Sequence, residues 1–255
     1  MPNPSIPGRM WSVSGRGGTL EFAPDGSTRP GPYYMYAGPN ASELVGDGVP
    51  TRDLNTRAVH YGVLAIQRAL NRELGPGTVV TDGLFGRKTK AATIRWQQGQ
   101  PSSHNVKPWG GIGNDSAKWL FMPLLVRTVK PQLQKVVCGL VSHESMWDPG
   151  CVGYTDPDDN GLGQINLLSN PSVTEEQAFQ PKVAFEYIED LLTQRLETFD
   201  GNLGDAVASY NLGATGALAW IRAGRPDIWR PTSNSSPRNV RAYINNILSG
   251  CTTVQ

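Results

Sequence analysis

The chain has 255 residues, and its 23 lysines and arginines nearly balance 22 aspartates and glutamates, which leaves a formal charge of +1 at pH 7. This length exceeds the usual size of one domain, about 100–150 residues, and predicts two domains. A charge so close to zero argues against a protein that coats nucleic acid, and no run of about 18 apolar residues predicts a membrane-spanning helix. No basic segment followed by an apolar core opens the sequence, so we expect no signal peptide.

The charge is distributed unevenly along the chain. Residues 1–50 carry 3 basic and 4 acidic side chains, net −1, and residues 51–125 carry 10 and 4, net +6. Residues 126–255 carry 10 basic and 14 acidic side chains, net −4. The near-neutral total is therefore a cancellation between three pieces of different character.

The first piece is rich in glycine and proline, with 9 Gly and 8 Pro in 50 residues. Turn signals recur without a sustained period, which is typical of a loosely structured arm. Two short β-prone segments, 19–22 and 33–36, could instead pair as a hairpin. The sequence of this arm indicates no function.

The second piece predicts three short helices. Apolar residues at 59, 63, 66 and 70 form one stripe of a helix that begins near Thr56, and a second helix is expected at 88–98 with Ala91, Ala92 and Trp96 as core candidates. A third is expected at 115–124. The segments Ala-Ile-Gln at 65–67, Asp-Gly-Leu-Phe-Gly at 82–86 and Trp-Gln at 96–97 resemble the small three-helix peptidoglycan-binding domain of cell-wall hydrolases. The resemblance implies binding to the wall, although the same segments could be a folding signature alone.

The third piece is expected to be mostly helical. Apolar spacing predicts helices at 131–145, 181–199, 203–211, 214–223 and 237–248. A long loop rich in Asp, Asn and Gly lies at 148–170, and loops of this length inside a domain are usually functional. Of the three cysteines, Cys138 and Cys151 could form a bridge, but we expect partly buried thiols.

One carboxyl group stands out in this third piece. Glu144 lies on the apolar stripe of its predicted helix, seven residues after Val137 and four after Leu140. A carboxyl held against apolar groups has a raised pKa and can serve as a general acid. On the stripe alone, exposure of Glu144 at a frayed helix end is an equal alternative.

Three motifs around this residue indicate a family. His-Glu-Ser-Met-Trp-Asp-Pro at 143–149 is followed by Gly-Leu-Gly-Gln-Ile at 161–165 and by Ala-Ser-Tyr-Asn-Leu-Gly at 208–213. Over roughly residues 126–250 the chain resembles the soluble lytic transglycosylases and goose-type lysozymes, which cleave peptidoglycan. The resemblance implies Glu144 as the catalytic acid/base. The residues that it implies as substrate-binding are Ser145, Gln164, Tyr210 and Asn211.

The resemblance also frames the reaction. It implies cleavage of the β-1,4 bond between N-acetylmuramic acid and N-acetylglucosamine, with a 1,6-anhydro product if the sugar's own 6-hydroxyl attacks. A hydrolytic muramidase (lysozyme) is the alternative, and Asp156, Asp158 and Asp159 are candidate water-positioning residues for it. Goose-type enzymes carry another acidic residue where Asn166 stands, so we favour the transglycosylase route.

Other chemistries fit the sequence poorly. Residues 156–161 begin like a calcium loop, but Leu167 stands where its closing Glu belongs, and a solvated acidic loop is expected. No histidine follows Cys151, which argues against a Cys/His amidase or peptidase. We therefore expect no metal and no cofactor.

Together these observations predict a mainly α-helical, modular protein. It comprises a Gly/Pro-rich arm at 1–50, a peptidoglycan-binding domain at 51–125, and a lysozyme-like α+β catalytic domain at 126–255. The expected partner is bacterial peptidoglycan, with no role for nucleic acid or membrane. A bacteriophage lysin fits best, either an endolysin that a holin releases from the host cytoplasm to the wall or a virion-associated enzyme whose arm docks on tail proteins. A non-catalytic virion structural or wall-targeting protein is the rival from another class.

Overall fold

The computed structural model describes residues 20–22, 28–30, 54–83, 85–108, 110–153, 157–232 and 236–251. In the N-terminal arm it places strands β1 (Leu20–Phe22) and β2 (Thr28–Pro30), which pair antiparallel with Leu20 opposite Pro30. A strand thus lies at the first of the two β-prone segments, and its partner is 28–30. The second segment, 33–36, lies outside the described residues.

The fold is mainly helical, as the sequence predicts. The helices are α1 (Leu54–Leu74), α2 (Arg87–Gln98), α3 (Asn114–Thr128), α4 (Pro131–Glu144), α5 (Glu175–Ala178), α6 (Pro181–Thr198), α7 (Leu203–Arg222) and α8 (Val240–Ser249), with a 3-10 turn at Ser102–His104. Short antiparallel pairs join β3 (Asp159–Asn160) to β4 (Ile165–Asn166) and β5 (Ile228–Trp229) to β6 (Arg238–Asn239). Within the described ranges, no helix has the length and apolar character to cross a membrane.

The chain divides into two compact units. The first unit comprises residues 1–124 and 145–184, and the second comprises residues 125–144 and 185–255. The catalytic carboxyl expected at Glu144 therefore belongs to the second unit, whereas the loop that follows it belongs to the first.

In the first unit, two buried glutamines on helices form hydrogen bonds with the glycine-containing turns that follow those helices. Gln67 on α1 accepts hydrogen bonds at Oε1 from the backbone N–H groups of Asp82 (3.0 Å) and Gly83 (2.9 Å). Gln97 on α2 accepts one from the N–H of Gly110 (3.0 Å) and donates to the carbonyl of Gly111 (2.6 Å). Gly83 and Gly110 have positive φ, which explains glycine at both turns. The same device thus recurs after two successive helices.

The core of this unit largely follows the predicted pattern. Val63, Ile66 and Leu70 are buried, as their helical spacing predicts, and Phe85 is buried as well. On α2, Ala92 and Trp96 are buried but Ala91 is exposed, so its prediction as a core residue was wrong. Consecutive helix positions are rotated by about 100°, and Ala91 therefore lies beyond the apolar stripe.

In the second unit, α4 and α8 cross very closely. A Cβ atom on Gly139 of α4 would lie 2.1 Å from the carbonyl oxygen of Ile247 on α8, so only glycine permits this approach. A disulfide joins Cys138, beside this crossing, to Cys251, with 5.8 Å between their Cα atoms. The expectation of thiols at these two positions was therefore wrong, as was a bridge to Cys151, which is a buried thiol. The two bonded cysteines are 113 positions apart, a distance over which sequence spacing carries no signal.

Helix α7 is interrupted at one residue. Gly213 has φ 68° and ψ 166°, outside the helical range, and its two sides correspond to the helices expected at 203–211 and 214–223. Asn202 caps the start of α7 by accepting a hydrogen bond from the N–H of Asp205 (3.0 Å). The break is at the glycine that ends the Tyr-Asn-Leu-Gly segment, so it shapes the end of the third motif.

Candidate active site

The last residue of α4 carries the carboxyl group on which the site is built. Glu144 is half-buried, and its Oε1 accepts a hydrogen bond of 2.5 Å from the phenol of Tyr243 on α8. The two residues are 99 positions apart, and the close packing of α4 on α8 brings them together. This bond fixes the plane of the carboxyl group at the end of its helix.

Tyr243 is held in its protonated form by its surroundings. The side chain is only 8% exposed, and burial is the main reason why its pKa lies well above the usual value. The negative charge of Glu144, its hydrogen bond with Glu144 and the nearby Tyr210 raise the pKa of Tyr243 further. Tyr243 is therefore a permanent hydrogen-bond donor to the carboxyl group at neutral pH.

A neutral imidazole covers one side of this phenol. The ring of His143 meets the ring of Tyr243 edge-on, with 4.9 Å between centroids and an interplanar angle of 89°. Desolvation lowers the pKa of His143, so the ring is uncharged at neutral pH. His143 is exposed to solvent, and its edge-on contact with Tyr243 makes it a packing residue here.

Helix α7 brings the third motif to this region of the second unit. Tyr210 is half-buried and close enough to Tyr243 to affect its pKa. Asn211 is exposed, and both its backbone carbonyl and its Oδ1 accept hydrogen bonds from Nη1 of Arg238, at 2.6 and 3.0 Å. Of the predicted site residues, Glu144 and Tyr210 therefore both interact with Tyr243, and Asn211 follows Tyr210 on the same helix.

The remaining predicted residues lie in the first unit. Ser145 is buried, and its carbonyl accepts a hydrogen bond from the N–H of Asp148 (3.0 Å), which begins the turn after α4. Gln164 has a positive φ of 47°, and its Nε2 donates to the carbonyl of Gly161 (2.9 Å). A Cβ on Gly161 would lie 1.9 Å from the carbonyl oxygen of Ala178, so this motif glycine permits close backbone packing. The substrate contacts expected of Ser145 and Gln164 stay predictions.

The acidic loop forms a small hairpin. Asp159 on β3 accepts a hydrogen bond at Oδ1 from Nδ2 of Asn166 on β4, at 2.9 Å. The backbone carbonyl of Asp158 accepts bonds from the N–H of Leu167 and from Nδ2 of Asn160, both at 2.9 Å. Asp156 lies outside the described residues. These contacts give Asp159 and Asn166 a joint role in closing the hairpin.

Two residues of this region escaped the sequence analysis. The sequence predicts a helix at 237–248 but assigns no role to Tyr243, and it does not single out Arg238. A tyrosine on a buried stripe needs a partner for its hydroxyl, which is the signal that could have marked Tyr243. For Arg238 the sequence offers no comparable signal.

The chemistry available to the second-unit cluster is acid–base chemistry. It combines one half-buried carboxyl group with a phenol that keeps its proton. Across the part of the chain that the structure describes, no three His, Cys, Asp or Glu side chains are grouped so that they could hold a metal ion.

Comparison with known proteins identifies the domain that contains this site. Residues 128–227 match the model of the Transglycosylase SLT domain family. The matched range contains Glu144 and Asn211 but ends before Arg238 and Tyr243. No curated protein and no solved structure matches the chain significantly.

Proposed function

We propose that Glu144 is the single acid and base of the lytic transglycosylase cleavage of peptidoglycan glycan strands that the Transglycosylase SLT domain at residues 128–227 implies. The observation that carries this assignment is the hydrogen bond between the phenol of Tyr243 and Oε1 of Glu144. It holds a half-buried carboxyl group in one orientation at the end of α4. A general acid must be held in this way if its proton is to reach one particular oxygen.

The proposed reaction begins with proton donation. Glu144 gives its proton to the oxygen of the β-1,4 bond between N-acetylmuramic acid and N-acetylglucosamine, and the bond from this oxygen to the anomeric carbon breaks. Positive charge develops on the anomeric carbon, as in other glycosidic cleavages. The carboxylate of Glu144 then accepts the proton of the 6-hydroxyl of the same muramic acid, whose oxygen bonds to the anomeric carbon. The 1,6-anhydro product leaves, and Glu144 is protonated again for the next cycle.

Tyr243 supports both halves of this cycle. Its raised pKa keeps the phenol protonated, so it remains a donor to the carboxyl group while the charge of Glu144 changes. The bond is stronger when Glu144 is ionised, because hydrogen bonds to charged groups are about twice as strong as neutral ones. We therefore assign Tyr243 as a positioning residue that acts through Glu144.

The hydrogen bonding of Asp159 argues against this residue as the water-positioning group of a hydrolytic enzyme. A hydrolytic muramidase of this fold would need a positioned water. Of the residues predicted to position it, Asp158 and Asp159 lie within the part of the chain that the structure describes. Asp159 is engaged with Asn166 across the β3–β4 hairpin, which argues for a structural use of its carboxylate. Hydrolysis would nevertheless be recognised at once by reducing muramic acid ends among the products.

The test of the assignment is the variant Glu144→Gln. We expect it to lose the clearing of a peptidoglycan suspension, because a neutral amide can neither donate nor accept the required proton. Glu197→Gln, an exposed change of the same charge on α6, is the matched control and should behave as the unmodified enzyme. Undiminished clearing by Glu144→Gln would overturn the proposal and favour a non-catalytic virion or wall-targeting protein.

For residues 51–125 we propose binding to peptidoglycan. Arg68, Arg72, Lys88 and Arg95 are exposed on the first two helices of this segment, and basic groups favour an anionic wall. Such attraction is screened by salt. Co-sedimentation of the full-length Glu144→Gln variant with peptidoglycan should therefore weaken steeply as salt is added. Binding that is independent of salt would argue against this electrostatic contribution.

We further propose that the protein is a bacteriophage lysin that works in the cell wall. The buried Cys138–Cys251 disulfide supports work outside a reducing cytosol, where such bonds persist. Release through a holin and transport on the virion are the two routes, and docking of residues 1–50 on tail proteins belongs to the second. Proteomics of purified particles separates them, because only a virion-borne enzyme copurifies in fixed ratio with tail proteins.

A further inference from the structure

One exposed arginine in the second unit contacts the third motif directly. Arg238 lies on β6, immediately before α8, and its Nη1 donates to both the carbonyl oxygen and Oδ1 of Asn211. Asn211 lies two residues before the break in α7 at Gly213. The last carbonyls of a helical segment lack intrahelical partners and attract cations, so Arg238 is well placed as a cap at this point.

The charge of Arg238 distinguishes it from the arginines around it. Arg225 pairs with Asp205 at 2.7 Å, and Arg241, three residues after Arg238, pairs with Asp227 at 3.0 Å. Among the described side chains, Arg238 pairs with no carboxylate, because both of its acceptors are neutral oxygens of Asn211. Its guanidinium is exposed and retains a full positive charge, with donors on Nε and Nη2 in addition to Nη1.

The same contact sets the orientation of Asn211. Because Oδ1 of Asn211 accepts from Arg238, the exposed amide of Asn211 has its two N–H donors on the other atom, Nδ2. Asn211 and Arg238 together therefore offer several hydrogen-bond donors to an incoming ligand. Such a surface suits acceptor groups, above all carboxylates, which guanidinium groups bind well.

This donor surface lies near the catalytic carboxyl. Tyr243, which bonds to Glu144, follows Arg238 by five residues, and Tyr210, which affects the pKa of Tyr243, directly precedes Asn211. Arg238 lies two residues before the start of α8, and Tyr243 lies in the first turn of that helix. Peptidoglycan differs from an uncharged glycan in carrying carboxylates on its stem peptides, one muramic acid apart from the next.

On the premise of the proposed function, we propose that Arg238 is a specificity-determining residue that binds a stem-peptide carboxylate of the peptidoglycan strand. Through Asn211 it also orients an amide toward the glycan. The arrangement would make the enzyme prefer glycan strands with anionic peptides over strands whose peptides are neutral. The contribution is to substrate binding, because Arg238 is not hydrogen-bonded to Glu144 or Tyr243.

The test compares one neutral and one charge-keeping variant of Arg238 on two forms of peptidoglycan. Arg238→Gln removes the charge but keeps an amide donor for Asn211, whereas Arg238→Lys keeps the charge. Arg241→Gln, which removes an equal charge three residues away, is the matched control. Each protein is assayed on native peptidoglycan and on the same peptidoglycan after its carboxyl groups are converted to amides, with KM and kcat measured separately.

The proposal predicts a rise in KM for Arg238→Gln of about fivefold on native peptidoglycan, the scale of one exposed charge pair, with kcat changed by less than about twofold. Arg238→Lys should recover most of the loss, and the difference from the unmodified enzyme should vanish on the amidated substrate. An equal KM defect on both substrates, or an equal defect in Arg241→Gln, would overturn it. Failure of the function itself would be recognised separately, by activity that survives in Glu144→Gln.

Discussion

Removal of the Cys138–Cys251 disulfide is expected to lower the free energy of unfolding by about 5 kcal/mol. The cysteines are 113 positions apart, and closing a loop of that length removes about 16 cal/mol/K of chain entropy from the unfolded state. At 25 °C this corresponds to the stated 5 kcal/mol. Natural domains are stable by only about 5–15 kcal/mol, so the loss is a large fraction of the total.

The assay is denaturant unfolding of the Cys138→Ala/Cys251→Ala double variant, followed by tryptophan fluorescence. Cys151→Ala is the control, because it also removes a buried sulfur but leaves the disulfide in place, and should cost about 1 kcal/mol through lost packing. Since α4 and α8 carry Glu144 and Tyr243, we also expect the double variant to lose activity at a lower temperature. A double variant no less stable than Cys151→Ala would refute the reasoning.

Three further changes test the packing that supports the site. Gly139→Ala should destabilise the protein by about 2–3 kcal/mol in urea unfolding, because its Cβ would meet the backbone of α8; unchanged stability would contradict the close crossing. Tyr243→Phe should cost about 1.5–3 kcal/mol of stability at pH 7 by removing the bond to Glu144. Because the pKa of Tyr243 is raised in the folded state, this difference should be complete from neutral pH to about pH 10 and shrink as the pH rises further, which thermal unfolding across pH measures. Gln67→Ala should cost about 2–3 kcal/mol, since it leaves the buried N–H of Gly83 and the part-buried N–H of Asp82 without their acceptor; a circular dichroism melt that matches the unmodified protein would contradict this role.

The local parts of the site were predictable from the sequence. Helical periodicity predicts the helix that ends at Glu144, and the structure ends α4 at that residue. The same periodicity marks Val240, Tyr243, Ile244 and Ile247 as one stripe, and all four are buried. Periodicity succeeds here because each helix buries one face, and the face is encoded within a dozen neighbouring residues.

Long-range pairings were not predictable in this way. The bond between Tyr243 and Glu144 joins residues 99 positions apart, and the disulfide joins residues still farther apart. A single sequence has no local pattern that links such distant positions, because their contact results from the crossing of α4 and α8. Gly139 permits that crossing, but a single glycine within a helix does not indicate which other helix packs against it.

Mass spectrometry of the soluble products from peptidoglycan tests the central claim most directly. Digestion by the unmodified protein should release fragments that end in 1,6-anhydro-N-acetylmuramic acid, whereas an equal amount of Glu144→Gln should release none. Products with reducing muramic acid ends, heavier by one water, would contradict the transglycosylase route. Anhydro products released undiminished by Glu144→Gln would contradict the assignment of Glu144 as the acid and base.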